Sequence, residues 1–216
     1  MENKMSLTIA VPKGRLFEQT LDLFEKAGLI TEKIDTNTRK LIISGNDYNF
    51  LMVRAKDVPV YVNQAVADIG IAGDDVLLEI DFDLYKPVDL GIGYCNIVVA
   101  GKPESRDLYF SNPSTLKIAT KYPKIAHKFF SEKGIKIQIF ELYGSVELAP
   151  LVEMADFIVD IVETGRTLKE NGLVVIDNIR PSTAKLIVNR VSYKTKRKEI
   201  LNLIEKLENY LEALYD

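Results

Sequence analysis

The sequence predicts an α/β protein of two lobes, built on mainly parallel sheets around a central cleft. Candidate strands and helices alternate along most of the 216 residues. That is the order in which parallel sheets with helices on both faces are wound. The alternation breaks near 91–113 and a late strand stands near 184, so the chain leaves a first lobe and returns to it. Lobe I is then residues 1–92 with 182–216, and lobe II is 93–181. Ligands of open α/β sheets sit beyond the carboxyl ends of strands. The strand ends of both lobes are therefore expected to converge on the cleft.

Leu7 to Val11 reads as the first strand, followed by Pro12-Lys13-Gly14-Arg15 at its carboxyl end. Leu16 to Ala27 reads as a helix, because Phe17, Leu21 and Phe24 recur at helical spacing. Lys13 and Arg15 are candidates for phosphate oxygens, with Gly14 letting backbone approach. Two solvated cations flanking a turn is the plainer alternative. Residues 40–44 and 50–54 read as a hairpin around Gly45-Asn46-Asp47-Tyr48. Arg39 precedes one strand and Arg54 ends the other, and each is a further candidate for phosphate. Val58 to Ala67 is helical, with Pro59 in its first turn. Asp68 to Ala72 is a strand, and a helix follows from Gly73-Asp74-Asp75. Asp74 reads first as an N-cap, and otherwise as a contact to nucleotide hydroxyls or a base.

Residues 85–90 and 95–100 read as strands around Gly91-Ile92-Gly93. Gly101 to Pro113 is polar, carries two prolines, and reads as a loop or lobe edge. Leu116 to Thr120 is a strand, Pro123 to Glu132 a helix, and Lys136 to Phe140 a strand. The single histidine, His127, lies mid-helix and reads as a surface or packing residue. Gly144-Ser145-Val146-Glu147 starts a short helix, with Ser145 as N-cap and Glu147 favoured by the helix dipole. Both are also candidates to face a ligand.

Residues 157–162 are apolar or β-branched except Asp160, and read as a buried strand. Thr164-Gly165 breaks it, and Arg166 to Asn171 reads as a short helix stopped by Asn171-Gly172. A strand, a small polar loop and a helix N-terminus together aim several N–H groups at one point. Thr164 and Thr167 add hydroxyls and Arg166 a charged fork. The stretch suits a phosphate monoester. Asp160 and Glu163 stand beside it, where carboxylates accept hydrogen bonds from sugar hydroxyls or help hold a cation. Leu173 to Asp177 and Ala184 to Asn189 read as strands divided by Arg180-Pro181-Ser182. A final helix from about Lys194 to Leu214 carries Ile200, Ile204, Leu207, Leu211 and Leu214 as one apolar seam, which packs on its own lobe by default or else forms an oligomer contact.

Net charge is −3, so no global field favours nucleic acid or anionic lipid. One cysteine, Cys95, excludes an internal disulfide and fits a reducing compartment. No segment reaches membrane-spanning length and no leader is evident, so the protein is expected to be cytoplasmic.

Five segments now form an ordered set. They are Val11-Pro12-Lys13-Gly14-Arg15-Leu16, Asp68-Ile69-Gly70-Ile71-Ala72-Gly73-Asp74, Gly93-Tyr94-Cys95, Tyr143 to Pro150, and Asp156-Phe157-Ile158-Val159-Asp160 through Thr164-Gly165-Arg166-Thr167-Leu168. In that order they resemble the ATP phosphoribosyltransferase family, over nearly the whole chain. The resemblance implies a fold similar to type II periplasmic binding proteins. It implies transfer of phosphoribose from phosphoribosyl pyrophosphate to N1 of ATP, releasing pyrophosphate, with Mg2+, as the first step of histidine biosynthesis. The family's ribose-phosphate loop falls on Glu163 to Leu168. Other phosphoribosyltransferases carry an adjacent acid pair; here the acids are Asp160 and Glu163, and which holds the ribose hydroxyls stays open. No dedicated protein metal site is implied. The length resembles the family's short form, which implies a separate regulatory subunit similar to histidyl-tRNA synthetase, and a homodimer when alone. Outside the resemblance, a two-lobed small-molecule binding or regulatory module without catalysis is the competing reading.

Overall fold

The computed structural model describes residues 6–32, 34–35, 39–111 and 115–214. They form two compact units. One holds the residues up to Gly93 and those from Thr183 onward; the other is Tyr94–Ser182.

The first unit opens with β1 (Leu7–Pro12), α1 (Arg15–Lys26), β2 (Ile42–Ser44), β3 (Tyr48–Val53), α2 (Val58–Asn63), β4 (Ile69–Gly73), α3 (Asp74–Glu79) and β5 (Tyr85–Asp89). The second unit follows with β6 (Cys95–Gly101), α4 (Arg106–Phe110), β7 (Leu116–Thr120), α5 (Pro123–Glu132), β8 (Ile137–Glu141), α6 (Leu148–Leu151), β9 (Phe157–Val162), α7 (Arg166–Glu170) and β10 (Val174–Ser182). The chain then returns to the first unit with β11 (Ala184–Val188), α8 (Arg190–Thr195) and α9 (Arg197–Glu212).

Among the described residues the first unit's sheet has the order β2-β3-β1-β4-β11-β5, and the second unit's sheet β10-β6-β9-β7-β8. The expected common direction holds for β1, β3, β4 and β5, and for β7, β8, β9 and β10. Each sheet is nonetheless mixed. β6 and β11, the first strand after each passage between units, run against both of their neighbours. An antiparallel neighbour is what a strand arriving without a helical crossover makes.

The first unit's core joins Phe17, Leu21 and Phe24 of α1 to Ile9, Phe50 and Ile71 of the sheet. Ile200, Leu203, Ile204 and Leu207 of α9 close the same cluster. The seam expected for packing on its own lobe is thus observed, with Leu203 added and Leu214 60 % exposed. The second unit buries Val98, Ala119 and Ile158 under Val146, Ala149 and Leu168.

Three local expectations are corrected. Residues 103–110 are not loop: Pro103–Ser105 is a 3-10 turn and α4 follows. The prolines hid it, but Tyr109 buries its ring edge-on against Phe130 and Phe157. β10 does not stop before Arg180 but runs through Pro181 to Ser182. It is an edge strand, where a residue without an N–H costs no ladder bond. The last helix is broken at Lys196, whose φ of −118° separates α8 from α9.

That break serves a buried network. Asp68, 6 % exposed, accepts from the Thr8 N–H at 2.9 Å, the Ser192 hydroxyl at 2.8 Å and Lys196 Nζ at 2.7 Å. It ties β1 to α8 and to the break that precedes α9. Asp68→Ala would orphan three donors at once. We expect a loss of about 3 kcal/mol, the usual cost of breaking a buried ion pair. Urea unfolding measures it, and a midpoint equal to wild type would refute it.

Candidate active site

In the first unit the carboxyl ends of β1, β3 and β4 lie side by side. Pro12 pairs with Val53, and the Lys13 N–H donates to the Val53 carbonyl at 3.3 Å. Lys13 and Arg54 therefore follow neighbouring strand ends, and both are exposed. Gly14 sits between Lys13 and Arg15 with φ 87° and ψ −146°, a conformation essentially confined to glycine. It lets the chain leave β1 and enter α1 within two residues, so exposed Arg15 opens that helix.

The β2–β3 pairing, continued by the Met52 N–H donating to the Leu41 carbonyl at 2.8 Å, leads Lys40 and Arg39 to the same end. A shallow pocket there is lined by Lys13, Gly14, Phe17, Glu18, Lys40, Ile43 and Met52. Sequence reasoning passed over Lys40; its place beside Arg39 in a hairpin was the available signal. Asp74 follows β4, is half-buried, and is not an N-cap. Gly73 holds that position, and the Asp74 N–H donates to the Thr183 carbonyl at 2.9 Å.

In the second unit the carboxyl ends of β7, β8 and β9 gather the remaining candidates. β9 buries its first four residues, Asp160 among them. Asp160 is only 7 % exposed. It accepts from the Ile161 N–H at 2.8 Å and pairs with Lys121 Nζ at 3.0 Å. Burial pushes its pKa above the ordinary carboxylate value; Lys121 and the Ile161 N–H pull it back, and the Glu147 charge adds to the rise. Lys121, one residue past β7, was missed from sequence. No local pattern marks it, because Asp160 lies far away along the chain.

The loop after β9 is the turn the sequence suggested. Gly165 has φ 74°, in the left-handed region, and stands as N-cap of α7. Glu163, Thr164, Arg166 and Thr167 are exposed, while Leu168 anchors the turn in the core. The Arg166 N–H makes a long 3.5 Å contact to Thr164 Oγ1. Arg166 itself is paired with Glu170 along the helix at 2.7 Å, so its charged fork lies on the helix surface. α7 has five residues, too few for much of a macrodipole. Loop N–H groups and hydroxyls are what this turn offers an anion.

Ser145 is not the N-cap of α6. Its φ of 46° is left-handed, its carbonyl accepts from the Leu148 N–H at 3.1 Å, and Glu147 takes the capping position. An exposed serine held in that region is uncommon and marks a constrained turn. Among the described residues no three His, Cys, Asp or Glu side chains gather as a metal site, and no helix is long and apolar enough to cross a membrane.

The family model HisG, ATP phosphoribosyltransferase, matches residues 54–209. The chain belongs to the ATP phosphoribosyltransferase family. A relative of that name from Aquifex aeolicus is 51 % identical over 201 residues, covering 93 % of each chain. Another family member, from Caldanaerobacter subterraneus subsp. tengcongensis, is 48 % identical and covers 95 % of this chain and 97 % of its own. A solved family structure, the HisG:HisZ complex of ATP phosphoribosyl transferase from Thermotoga maritima, matches with a TM-score of 0.75. Its identity is 40 %, over 96 % of this chain and 99 % of that one. The periplasmic aliphatic sulphonate binding protein SsuA of Escherichia coli matches at 13 % identity with a TM-score of 0.62, covering 95 % of this chain and 72 % of its own. That likeness is one of fold, and the periplasmic-binding-protein-like architecture expected from sequence is the one the family shares.

Proposed function

We propose that this chain transfers phosphoribose from phosphoribosyl pyrophosphate to N1 of ATP, forming phosphoribosyl-ATP and pyrophosphate in the first step of histidine biosynthesis. The supporting observation is placement. Four of the five family-like segments reach the carboxyl ends of parallel strands, β1 and β4 in one unit and β8 and β9 in the other, while Gly93-Tyr94-Cys95 leads into β6. Sites of open α/β sheets are built there.

In this reading the 5′-phosphate rests on the N–H groups and hydroxyls of Thr164, Gly165, Arg166 and Thr167. Asp160 and Glu163 accept from ribose hydroxyls, and Ser145 and Glu147 flank them. Lys13, Arg15, Arg39 and Arg54 neutralise pyrophosphate and ATP phosphates, and Asp74 meets nucleotide hydroxyls. The reaction is substitution at the anomeric carbon: the C1–O bond to pyrophosphate breaks as the N1–C1 bond forms, and positive charge builds on the ring. The adenine nitrogen attacks with its own lone pair, so no base must act first. Positioning and preorganised charge carry the rate. A carboxylate as close to the anomeric centre as Asp160 also favours that developing charge.

The donor set suits Mg2+ borne by substrate oxygens and water, since Asp160 is already committed to Lys121. Bound with substrate, such an ion would supply positive charge to the phosphate oxygens. The protein works in the cytoplasm, as a homodimer alone and in a hetero-oligomer with a regulatory subunit similar to histidyl-tRNA synthetase.

An assay with ATP, phosphoribosyl pyrophosphate and Mg2+, with and without such a subunit, tests the reading through pyrophosphate release. Absence of release in both arms would leave the binding-module alternative standing. Within that assay Arg15→Ala should lower turnover at least tenfold while its melting temperature stays within a degree or so of wild type, because an exposed arginine carries little stability. Wild-type turnover would remove Arg15 from the site.

A further inference from the structure

The pair Lys121–Asp160 joins two strand ends that the proposed chemistry treats unequally. Asp160 has a role in it; Lys121 has none. Yet the two are held in register by the sheet. β7 and β9 pair in parallel with Thr120 opposite Val159, and the Thr120 hydroxyl donates to the Val159 carbonyl at 2.6 Å. The same hydroxyl accepts from the Tyr122 N–H at 2.8 Å. Both residues flanking Lys121 are thus bolted to β9 or to each other, and both are buried. The Lys121 side chain is 26 % exposed, against 10 % for Asp160. Its ammonium therefore reaches in from the rim to a carboxylate that water barely touches.

The other charged group acting on Asp160 is Glu147, ahead of α6. Its charge repels that of Asp160. β6, on the opposite side, presents Val98 across from Asp160 and offers no charge. Lys121 is then the cation that decides whether the Asp160 carboxylate stays ionised and where its oxygens point. One oxygen is fixed by the Ile161 N–H and the ammonium together, which leaves the other to accept from a ligand.

We propose that Lys121 is a positioning residue for phosphoribosyl transfer, holding Asp160 as an oriented carboxylate for the ribose hydroxyls without touching the substrate. This rests on the assignment of the sugar phosphate to the β9–α7 loop. The sign of its pH dependence follows from the charges. Without Lys121, only the Ile161 N–H is left to oppose burial and Glu147, so the Asp160 carboxylate takes up its proton at a higher pH. Binding that needs the ionised form is then lost in mildly acidic solution and recovered as pH rises.

The test compares Lys121→Met, Lys121→Gln and Lys121→Arg with wild type, by KM for phosphoribosyl pyrophosphate and kcat from pH 5.5 to 9. Thermal melts run alongside. We expect KM for Lys121→Met and Lys121→Gln to rise at least tenfold at the acid end and to approach wild type at the alkaline end. kcat should change less, and Lys121→Arg should keep the wild-type profile. An unchanged KM profile in a folded Met or Gln variant overturns the proposal. So does a KM raised equally at every pH, which marks direct contact with substrate. Gly165→Val is the control for the loop. If it binds phosphoribosyl pyrophosphate normally by calorimetry, the loop assignment itself is at fault; if it loses binding while the Lys121 variants behave as wild type, the fault lies with Lys121.

Discussion

Asp160→Asn should melt a few degrees above wild type at neutral pH while losing most of its phosphoribosyl transfer. Asp160 is buried, and burial raises its pKa against the pull of Lys121 and the Ile161 N–H. An acid whose folded pKa is raised adds stability below its unfolded pKa, near 3.9, and that contribution vanishes as pH rises through the folded value. At neutral pH the native state therefore carries a charge it would hold more cheaply unfolded. Asparagine keeps an oxygen for the Ile161 N–H, and the partly exposed Lys121 can turn to water. A stability increase of order 1 kcal/mol corresponds to about 2–4 °C in a chain of this size. The gap should close in melts at pH 4. Activity should fall by about 10- to 100-fold, the worth of a hydrogen bond to a charged group. A variant that is both less stable at neutral pH and fully active would contradict the argument on both counts.

Gly165→Val should abolish measurable binding of phosphoribosyl pyrophosphate. A Cβ at Gly165 would meet only Val162 Cγ1, at 3.9 Å, so space is not the obstacle. The obstacle is φ 74°, a region that β-branched residues resist. The strain, of about 1–3 kcal/mol, would be relieved by moving the loop and with it the N–H groups offered to phosphate. Gly165→Asn separates backbone from bulk, because asparagine enters the left-handed region with less strain. It should retain binding within about tenfold. Calorimetry with both variants decides; normal affinity in Gly165→Val would refute the loop assignment.

Both predictions concern residues visible in the sequence, and their visibility has a physical basis. β9 announces itself by an apolar run, and Asp160 stands out because a carboxylate in such a run needs a reason. Thr164-Gly165 is legible because a turn needs a residue free of Cβ. The motifs' order along the chain carried the family reading. Lys121 was not legible. Its meaning comes from the parallel pairing of β7 with β9, and no local pattern encodes a partner in another strand. Lys40 had its place beside Arg39 as a signal, but not the pocket, which gathers residues from the β1–α1 turn, α1 and the hairpin. Ser145 misled because serine favours N-caps, while nothing in its identity signals a positive φ. α4 was masked by prolines that mark loops more often than one-turn helices.

The return of the chain through β11 has a consequence for biogenesis. Gly73 ends up bonded beside Ala184, and α9 closes the core that α1 begins. The Tyr94–Ser182 unit is continuous in sequence, so a nascent chain emerging from the ribosome can complete it while the other half still lacks a strand and two helices. Long loop closure is the slow kind of folding. The unit built from two separate stretches of chain should therefore mature last, and before it does, β4 has an open flank to which chaperones or another chain could bind.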